Sequence, residues 1–152
     1  MRYEDLKNYF EEGIEGINKL MITIKDTIDT IEDYQSQFKG NQLTEEADLK
    51  VALNVLTGLH SETTIISLIA DAYSEVNEAR ELLNAKNNLV DDGKGGKKSP
   101  TDEVAKAMSK VNNLDYLRTA NLFAAYSKVC GQKIMTVQSQ LNYLKKPIPP
   151  QG

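Results

Sequence analysis

The chain has 152 residues, of which 40% are apolar and 26% charged, and it carries a net charge of −4 and a single cysteine. This length suits one domain with a sizeable core, the apolar content excludes a wholly disordered chain, and one cysteine excludes an internal disulfide. The charged N-terminus lacks the apolar core of a signal peptide, and no apolar run approaches the ~18 residues of a transmembrane helix. The sequence therefore predicts a cytoplasmic protein.

Charge is unevenly distributed along the chain. Residues 1–93 carry eight Lys and Arg against nineteen Asp and Glu, whereas residues 94–152 carry ten against three. Two interpretations fit: the acidic and basic parts pack on each other, within a chain or between chains, or the basic part faces a polyanion. The first is favoured, because most charged runs are simply solvated faces.

Apolar residues in the first segment are spaced alternately by four and three positions, which is a heptad pattern. The pattern predicts one helix from about residue 3 to residue 39, ended by Gly40. Isoleucine at both core positions favours association of three or four helices over two. Leu6, Leu20 and Ile22 lie off the pattern, and we expect them to be available for a partner.

The second segment predicts a helix from about residue 44 to residue 88, with Thr44 as its N-cap. The stretch from Gly58 to Ser61 leaves a kink or a break open. Apolar residues form two stripes, so we expect this helix to lie between two neighbours. The first stripe is Leu49, Ala52, Leu56 and Leu59, and the second is Ile65, Ile69, Ala72, Val76, Ala79 and Leu83.

The stretch DDGKGGKKSPT, residues 91–101, concentrates three glycines and three lysines. It lacks the G-x-x-x-x-G-K-[ST] spacing of a phosphate-binding loop, and it follows a predicted helix rather than a strand. Residues 89–99 are therefore predicted to form a flexible hinge. The alternative is a basic finger that contacts phosphate.

Two further helices are predicted beyond this loop. The first covers residues 100–111, with Ser99 as N-cap and Pro100 at the first helical position. A break near Asn112 and Asn113 separates it from a second helix over residues 114–146, which carries another heptad pattern and ends before Pro147. Residues 147–152 are predicted to be a disordered, proline-rich tail.

These segments together predict an all-α fold. It is expected to be a single-domain, elongated antiparallel bundle of three long helical segments over residues 1–146, packed as in a coiled coil. No stretch has the alternating pattern of a strand. The predicted interaction seam consists of Ile14, Ile17, Met21, Ile24, Ile28, Ile31, Ile134, Val137 and Leu141.

Few residues could carry chemistry. His60 is the only histidine in the sequence and has no second histidine or cysteine cluster to complete a zinc site. Cys130 lies on an apolar stripe and is expected to behave as a small buried hydrophobe. Neighbouring carboxylates such as Glu11 and Glu12 point apart on a helix. The sequence therefore predicts no catalytic residue, no metal, no cofactor and no small-molecule substrate.

The predicted function is that of a non-enzymatic interaction or structural protein. It is expected to bind further copies of itself through its apolar seams, as a scaffold, an assembly component or a surface-blocking inhibitor. The alternative is a nucleic-acid accessory protein of the packaging or recombination type. No membrane partner is expected, because the basic residues do not line a strongly apolar helix. The candidate polyanion contacts are Lys94, Lys97, Lys98, Arg118, Lys128, Lys133, Lys145 and Lys146.

Overall fold

The computed structural model describes residues 1–91, 93 and 95–145, with residue 91 described by its backbone alone. The helices and strands of these residues are α1 Tyr3–Glu11, α2 Ile14–Thr23, α3 Lys25–Lys39, α4 Glu46–Asn87, β1 Val90–Asp91, β2 Lys97–Lys98, α5 Asp102–Asn112 and α6 Leu114–Leu144. The fold is all-α, as predicted, and the long helices α4 and α6 pack closely, as in a helical bundle. The predicted tail, residues 147–152, lies outside the described residues.

The first segment is three helices, not the single helix predicted from residue 3 to residue 39. Gly13 follows α1 with a φ of +69°, in the left-handed region that glycine enters without strain. Gly16 approaches α1 so closely that a Cβ there would lie 1.8 Å from the carbonyl oxygen of Tyr9. The apolar spacing does not reveal this break, because both glycines occupy positions off the heptad pattern.

The side chains of the first segment that face inward differ in part from the predicted seam. Leu6 and Leu20 are fully buried, so the prediction that they are available for a partner is wrong. Ile22 is exposed, as expected, but so is Ile14, which the heptad pattern places on the seam. Leu6, Phe10, Ile17, Leu20, Ile24 and Ile31 are all buried and keep a heptad spacing, so the inward face shares one core position with the predicted seam and differs from it at the other.

The end of α3 is set by Asn41 rather than by Gly40. Gly40 keeps a φ of −83°, whereas Asn41 has a φ of +49°. The amide of Gln42 donates to the carbonyl of Gln37 at 3.0 Å, and the amide of Asn41 donates to that of Phe38 at 3.4 Å. This pair of hydrogen bonds is a Schellman motif, in which asparagine is an accepted substitute for glycine.

Helix α4 is continuous from Glu46 to Asn87, so the break that the sequence leaves open near Gly58 does not occur. The amide of Leu49 donates to the carbonyl of Glu45 at 3.0 Å, which places the N-cap at Glu45 instead of Thr44. A glycine costs a helix only about 1 kcal/mol. Burial of neighbouring α4 side chains is sufficient to offset a cost of that size.

The predicted hinge contains a short antiparallel pairing. Val90 of β1 lies opposite Lys98 of β2, and residue 91 lies opposite Lys97. Gly93 and Gly95 have φ values of +75° and +81°, which other residues rarely adopt. The prediction that the chain has no strand is therefore wrong. Two residues per strand are too few to produce the alternating pattern by which a strand is recognised in a sequence.

The start of α5 differs by two residues from the predicted one. Thr101, not Ser99, is the N-cap, and its Oγ1 accepts a hydrogen bond from a backbone amide of the first turn at 3.4 Å. Pro100 therefore precedes the helix instead of opening it. Asp102 pairs with Lys86 of α4 at 3.0 Å, and this hydrogen bond to an ammonium lowers the pKa of Asp102. The pair joins the end of α4 to the start of α5.

The chain divides into two compact units. The first comprises residues 1–19 and 66–122, and the second comprises residues 20–65 and 123–152, so α4 and α6 each contribute to both. In the first unit, the rings of Phe10 and Tyr73 stack with centroids 5.6 Å apart, beside the ring of Tyr116. The core of the second unit is formed by Ile31, Leu49, Ala52, Leu56, Cys130, Val137 and Leu141.

Candidate interaction surface

Most of the predicted interaction seam is buried by the chain itself. Its buried members are Ile17, Ile24, Ile31, Val137 and Leu141. Met21, Ile28 and Ile134 are partly buried, and only Ile14 of this set is exposed. The heptad spacing therefore marks inward faces of helices, and contact between the seam and a partner stays a prediction. A partner of the folded chain meets the exposed side chains first.

The inward face of the second half of α4 is not the predicted stripe. Ile66, Ala70 and Ser74, spaced by four residues, are buried there. Asn113 donates a hydrogen bond from Nδ2 to Oγ of Ser74 at 2.7 Å, which satisfies the hydroxyl inside the unit. A search of the sequence for large apolar residues does not find this face, because two of its three residues, Ala70 and Ser74, are small.

An exposed apolar surface, here named the α4 stripe, runs along the opposite side of the same helix. Leu68, Val76 and Leu83 are 65%, 58% and 65% exposed. Positions 68 and 72 of the stripe recur eleven residues later as positions 79 and 83. A pattern that repeats every eleven residues stays on nearly the same side of an α-helix. None of the residues that the structure describes covers these side chains. The α4 stripe consists of Leu68, Ala72, Val76, Ala79 and Leu83.

Charged residues border the α4 stripe unequally. Asp71 and Glu75 are exposed along one edge, with the partly exposed Glu78 behind them, whereas Arg80 lies along the other edge. Complementary charge at the border of an apolar contact steers association and fixes its register. The stripe is therefore suited to a helix that has an apolar face and a basic edge.

Helix α5 presents a second exposed apolar surface within the first unit, here named the α5 face. Its inward positions, Ala105 and Ser109, are small and buried, so the larger side chains point away from the core. Glu103, Lys106 and Lys110 are exposed on the same helix. Sequence analysis misses this surface, because a helix of 11 residues is too short to show a sustained pattern. The α5 face consists of Val104, Ala107, Met108 and Val111.

Three of the predicted polyanion contacts are described in the first unit. Lys97 and Lys98 are exposed on β2. Arg118 is exposed and lies 3.8 Å from the carboxylate of Asp115 within α6. Lys94 is outside the described residues, so the predicted basic finger is only partly visible. Phosphate contact by these residues stays a prediction.

The remaining predicted polyanion contacts belong to the second unit. Lys128 and Lys145 are exposed on or just after α6. The ammonium of Lys133 lies 5.1 Å from the ring centroid of Phe38, a cation–π contact that engages it within the chain. Lys146 is outside the described residues. Nucleic-acid binding through this set stays a prediction as well.

His60 joins α4 to α6 in the second unit. Its Nδ1 lies 2.9 Å from the carbonyl oxygen of Ser127 and 3.1 Å from the Oγ of the same residue, and Oγ1 of Thr64 lies 2.7 Å from that hydroxyl. A carbonyl oxygen can only accept, so Nδ1 carries the proton. It therefore cannot take a proton from the serine, and the contact is not a base–nucleophile arrangement.

Cys130 is fully buried in the core of the second unit. Burial raises the pKa of its thiol to about 11, because a thiolate loses its hydration there. The thiolate is the nucleophilic form of cysteine. Cys130 therefore has the small, inert, apolar character that the sequence predicts.

A groove of about 370 Å³ lies in the second unit, lined by Leu43, Thr44, Leu49, Ser139, Gln140, Tyr143 and Leu144. Among the buried side-chain nitrogen and oxygen atoms that the structure describes, Oε1 of Gln140 has no hydrogen-bond partner. Sequence analysis gives no indication of this groove, because its residues come from separate parts of the chain. Its lining is largely apolar, so it has little to offer acid–base chemistry.

No protein-family model matches the chain, and neither does any curated protein or solved structure in the comparisons. Among the described helices, none is long and apolar enough to cross a membrane. The described ranges also contain no group of three His, Cys, Asp or Glu side chains that could hold a metal ion.

Proposed function

We propose that this protein is a non-enzymatic helical interaction protein that self-associates through exposed apolar helix surfaces, as a scaffold or assembly component. The α4 stripe carries this proposal. It extends over about four helical turns, roughly 22 Å at 1.5 Å per residue, and all five of its side chains are exposed. Contiguous apolar surface is uncommon on monomeric proteins and marks sites of association.

The position of the α4 stripe within the fold supports this proposal. The stripe lies opposite a face that is buried in the first unit, whereas the described residues leave the stripe itself exposed. A helix with two apolar sides is stable when both are covered. Association of copies supplies the second neighbour without new secondary structure, which accords with the small conformational change that most interfaces require.

The proposal is tested by the solution mass, measured by light scattering after gel filtration over a range of concentrations. We expect multiples of 17.0 kDa that persist in ~500 mM salt, because apolar contacts are not screened. Val76→Glu places a charge in the middle of the stripe and is expected to weaken association at least roughly tenfold.

Val51→Glu is the matched control. Val51 is 59% exposed on the same helix, against 58% for Val76, but it lies in the second unit, away from the stripe. It is expected to leave the mass unchanged. A wild-type chain that stays monomeric at every concentration contradicts self-association. If Val51→Glu and Val76→Glu weakened association equally, the α4 stripe would not be the surface through which the copies associate.

A further inference from the structure

We infer that the surface covering the α4 stripe is the α4 stripe of a second copy, packed in parallel about a two-fold axis, an inference that rests on the proposed function. The last four residues of the stripe are spaced by four, three and four positions, which is the alternation of core positions in a coiled coil. They are Ala72, Val76, Ala79 and Leu83. Both copies contribute the same residues to such a contact, so it closes a dimer of twice 17.0 kDa.

Charge complementarity selects this occupant. At about 100° per residue, Glu75 lies about 60° round the helix from Ala72 on one side, and Arg80 lies about 80° from it on the other. Both charged side chains are exposed. Each copy therefore carries an acidic residue on one edge of the stripe and a basic residue on the opposite edge. Residues at these flanking positions form the ion pairs that set partner choice and orientation in coiled coils.

The orientation follows from these two edges. When two copies of a helix pack in parallel, opposite edges meet, and a residue directly before a core position faces the residue five positions later on the other copy. Glu75 of each copy then meets Arg80 of the other, and the two-fold axis gives this ion pair twice. When the copies pack antiparallel, like edges meet instead, which brings Glu75 to the acidic edge of the other copy. Like charges across a contact oppose association, so parallel packing is favoured.

The parallel register also suits the apolar residues. Leu68 lies seven positions before Glu75, so it occupies the equivalent edge position and meets Tyr73 of the other copy, which is partly exposed. Ala72 and Ala79 each face their own copy across the axis. Their small side chains allow the two helices to approach at the short end of the usual range of about 8–10 Å.

The apolar contact ends at Lys86, which occupies the next core position after Leu83. The ammonium of Lys86 pairs with Asp102 of its own chain at 3.0 Å, so part of its charge is already compensated where the two copies of this residue approach each other. The contact therefore extends from Leu68 to Leu83, roughly 22 Å at 1.5 Å per residue. A seam of this length is short, so the dimer is expected to dissociate on dilution.

Disulfide cross-linking tests the orientation. Ala72→Cys and Ala79→Cys are made as separate chains, and each is expected to form a cross-linked dimer with itself under mild oxidation. The two positions are about 10 Å apart along the helix, and a disulfide requires Cα atoms within about 7 Å. An antiparallel pair brings at most one of these positions onto its own copy, so failure of either chain to cross-link would overturn parallel packing. Val51→Cys, at an exposed position of the second unit, measures cross-linking by random collision.

Charge reversal tests the ion pair in ~50 mM salt, where screening is weak. Glu75→Arg is expected to weaken association roughly tenfold, as judged by light scattering, because like charges then meet at both symmetric contacts. The chain that combines Glu75→Arg with Arg80→Glu is expected to recover most of the wild-type association. Asp71→Arg with Arg80→Glu is the matched control and should recover nothing, because Asp71 lies about 40° further round the helix than Glu75. Stronger association of Glu75→Arg would indicate antiparallel packing and overturn the inference.

The outcomes separate this inference from the proposed function. If Val76→Glu dissociates the protein but the cross-links do not form and the charge exchange restores nothing, the parallel α4 contact is overturned and self-association through the stripe still stands. Cross-linking at both positions, together with recovery by the charge exchange, supports the inference. A monomeric wild-type chain would overturn both. Helical content by circular dichroism confirms that each variant is folded before its mass is compared.

Discussion

Asn113 and Ser74 are joined by a 2.7 Å hydrogen bond between two side chains that are both buried in the first unit. Asn113 is also the residue between α5 and α6, and its carbonyl accepts the amide of Leu117. Its Oδ1 accepts a further hydrogen bond from Asn77 at 3.3 Å. One asparagine thus fixes the point at which the chain leaves α5 and ties that point to α4.

Replacing Asn113 by leucine is expected to lower the free energy of unfolding by roughly 2–3 kcal/mol, because the Ser74 hydroxyl is left buried without a partner. Ser74→Ala alone is expected to cost about 1–2 kcal/mol by stranding the Asn113 amide. Urea unfolding of both single variants and the double variant checks this. The double variant should lose less than the sum of the two, and strict additivity would contradict coupling.

Three glycines are expected to respond differently to alanine. Gly16→Ala brings a Cβ to 1.8 Å from a carbonyl oxygen, so α1 must move, and we expect a loss of at least about 3 kcal/mol. Gly13→Ala, at a φ of +69°, should cost about 1–2 kcal/mol. Gly58→Ala is the control. Its Cβ meets nothing within 4 Å, and we expect a gain of about 0.5–1 kcal/mol. Thermal and urea unfolding measure the stability of all three variants. A loss of stability in Gly58→Ala would contradict the expectation that α4 accepts a Cβ at this position without strain.

The thiol of Cys130 is expected to resist modification. Since burial raises its pKa to about 11, the native protein should react with a thiol reagent at pH 8 far more slowly than the protein in guanidinium. The raised pKa also means that the unfolded chain releases this proton first as the pH rises. The contribution of Cys130 to stability is therefore complete below about pH 9 and is lost as the pH passes through about 11. Cys130→Ala should flatten this decline, and rapid native labelling at pH 8 would contradict the burial.

Removing an unsatisfied acceptor is expected to stabilise the second unit. Gln140→Met keeps the length of the side chain and deletes the buried Oε1 that lacks a partner, so the free energy of unfolding should rise by about 1 kcal/mol. Gln132→Met, at an exposed position of the same helix, is the control and should change it by less than about 0.5 kcal/mol. Loss of stability in Gln140→Met would show that the amide makes a favourable interaction.

The heptad spacing predicts the class of fold and much of one face. Cys130, Val137 and Leu141 lie inward in α6, as their spacing of seven and four indicates. Helix ends are predicted less well, because Ser99 and Thr101 can both cap a helix and the tertiary structure selects Thr101. A short-range signal therefore predicts that a helix exists better than it predicts where the helix begins.

Long-range packing decides what the spacing cannot. The second half of α4 has a large apolar stripe and a small, partly polar face, and the sequence predicts a neighbour against the large stripe. The fold instead buries Ala70 and Ser74, and Asn113 donates a hydrogen bond to the Ser74 hydroxyl there. The α4 stripe therefore becomes an exposed surface through tertiary structure alone.

The sequence by itself determines that this protein is all-α, because periodicity near 3.6 residues, caps and the scarcity of proline are local properties of the chain. Tertiary structure alone decides which face of the second half of α4 is buried. Burial depends on shape and hydrogen-bond complementarity between residues such as Ser74 and Asn113, which stand 39 positions apart. The difference in free energy between burying one face and burying the other depends on contacts between distant segments, and no single stretch of sequence contains those contacts.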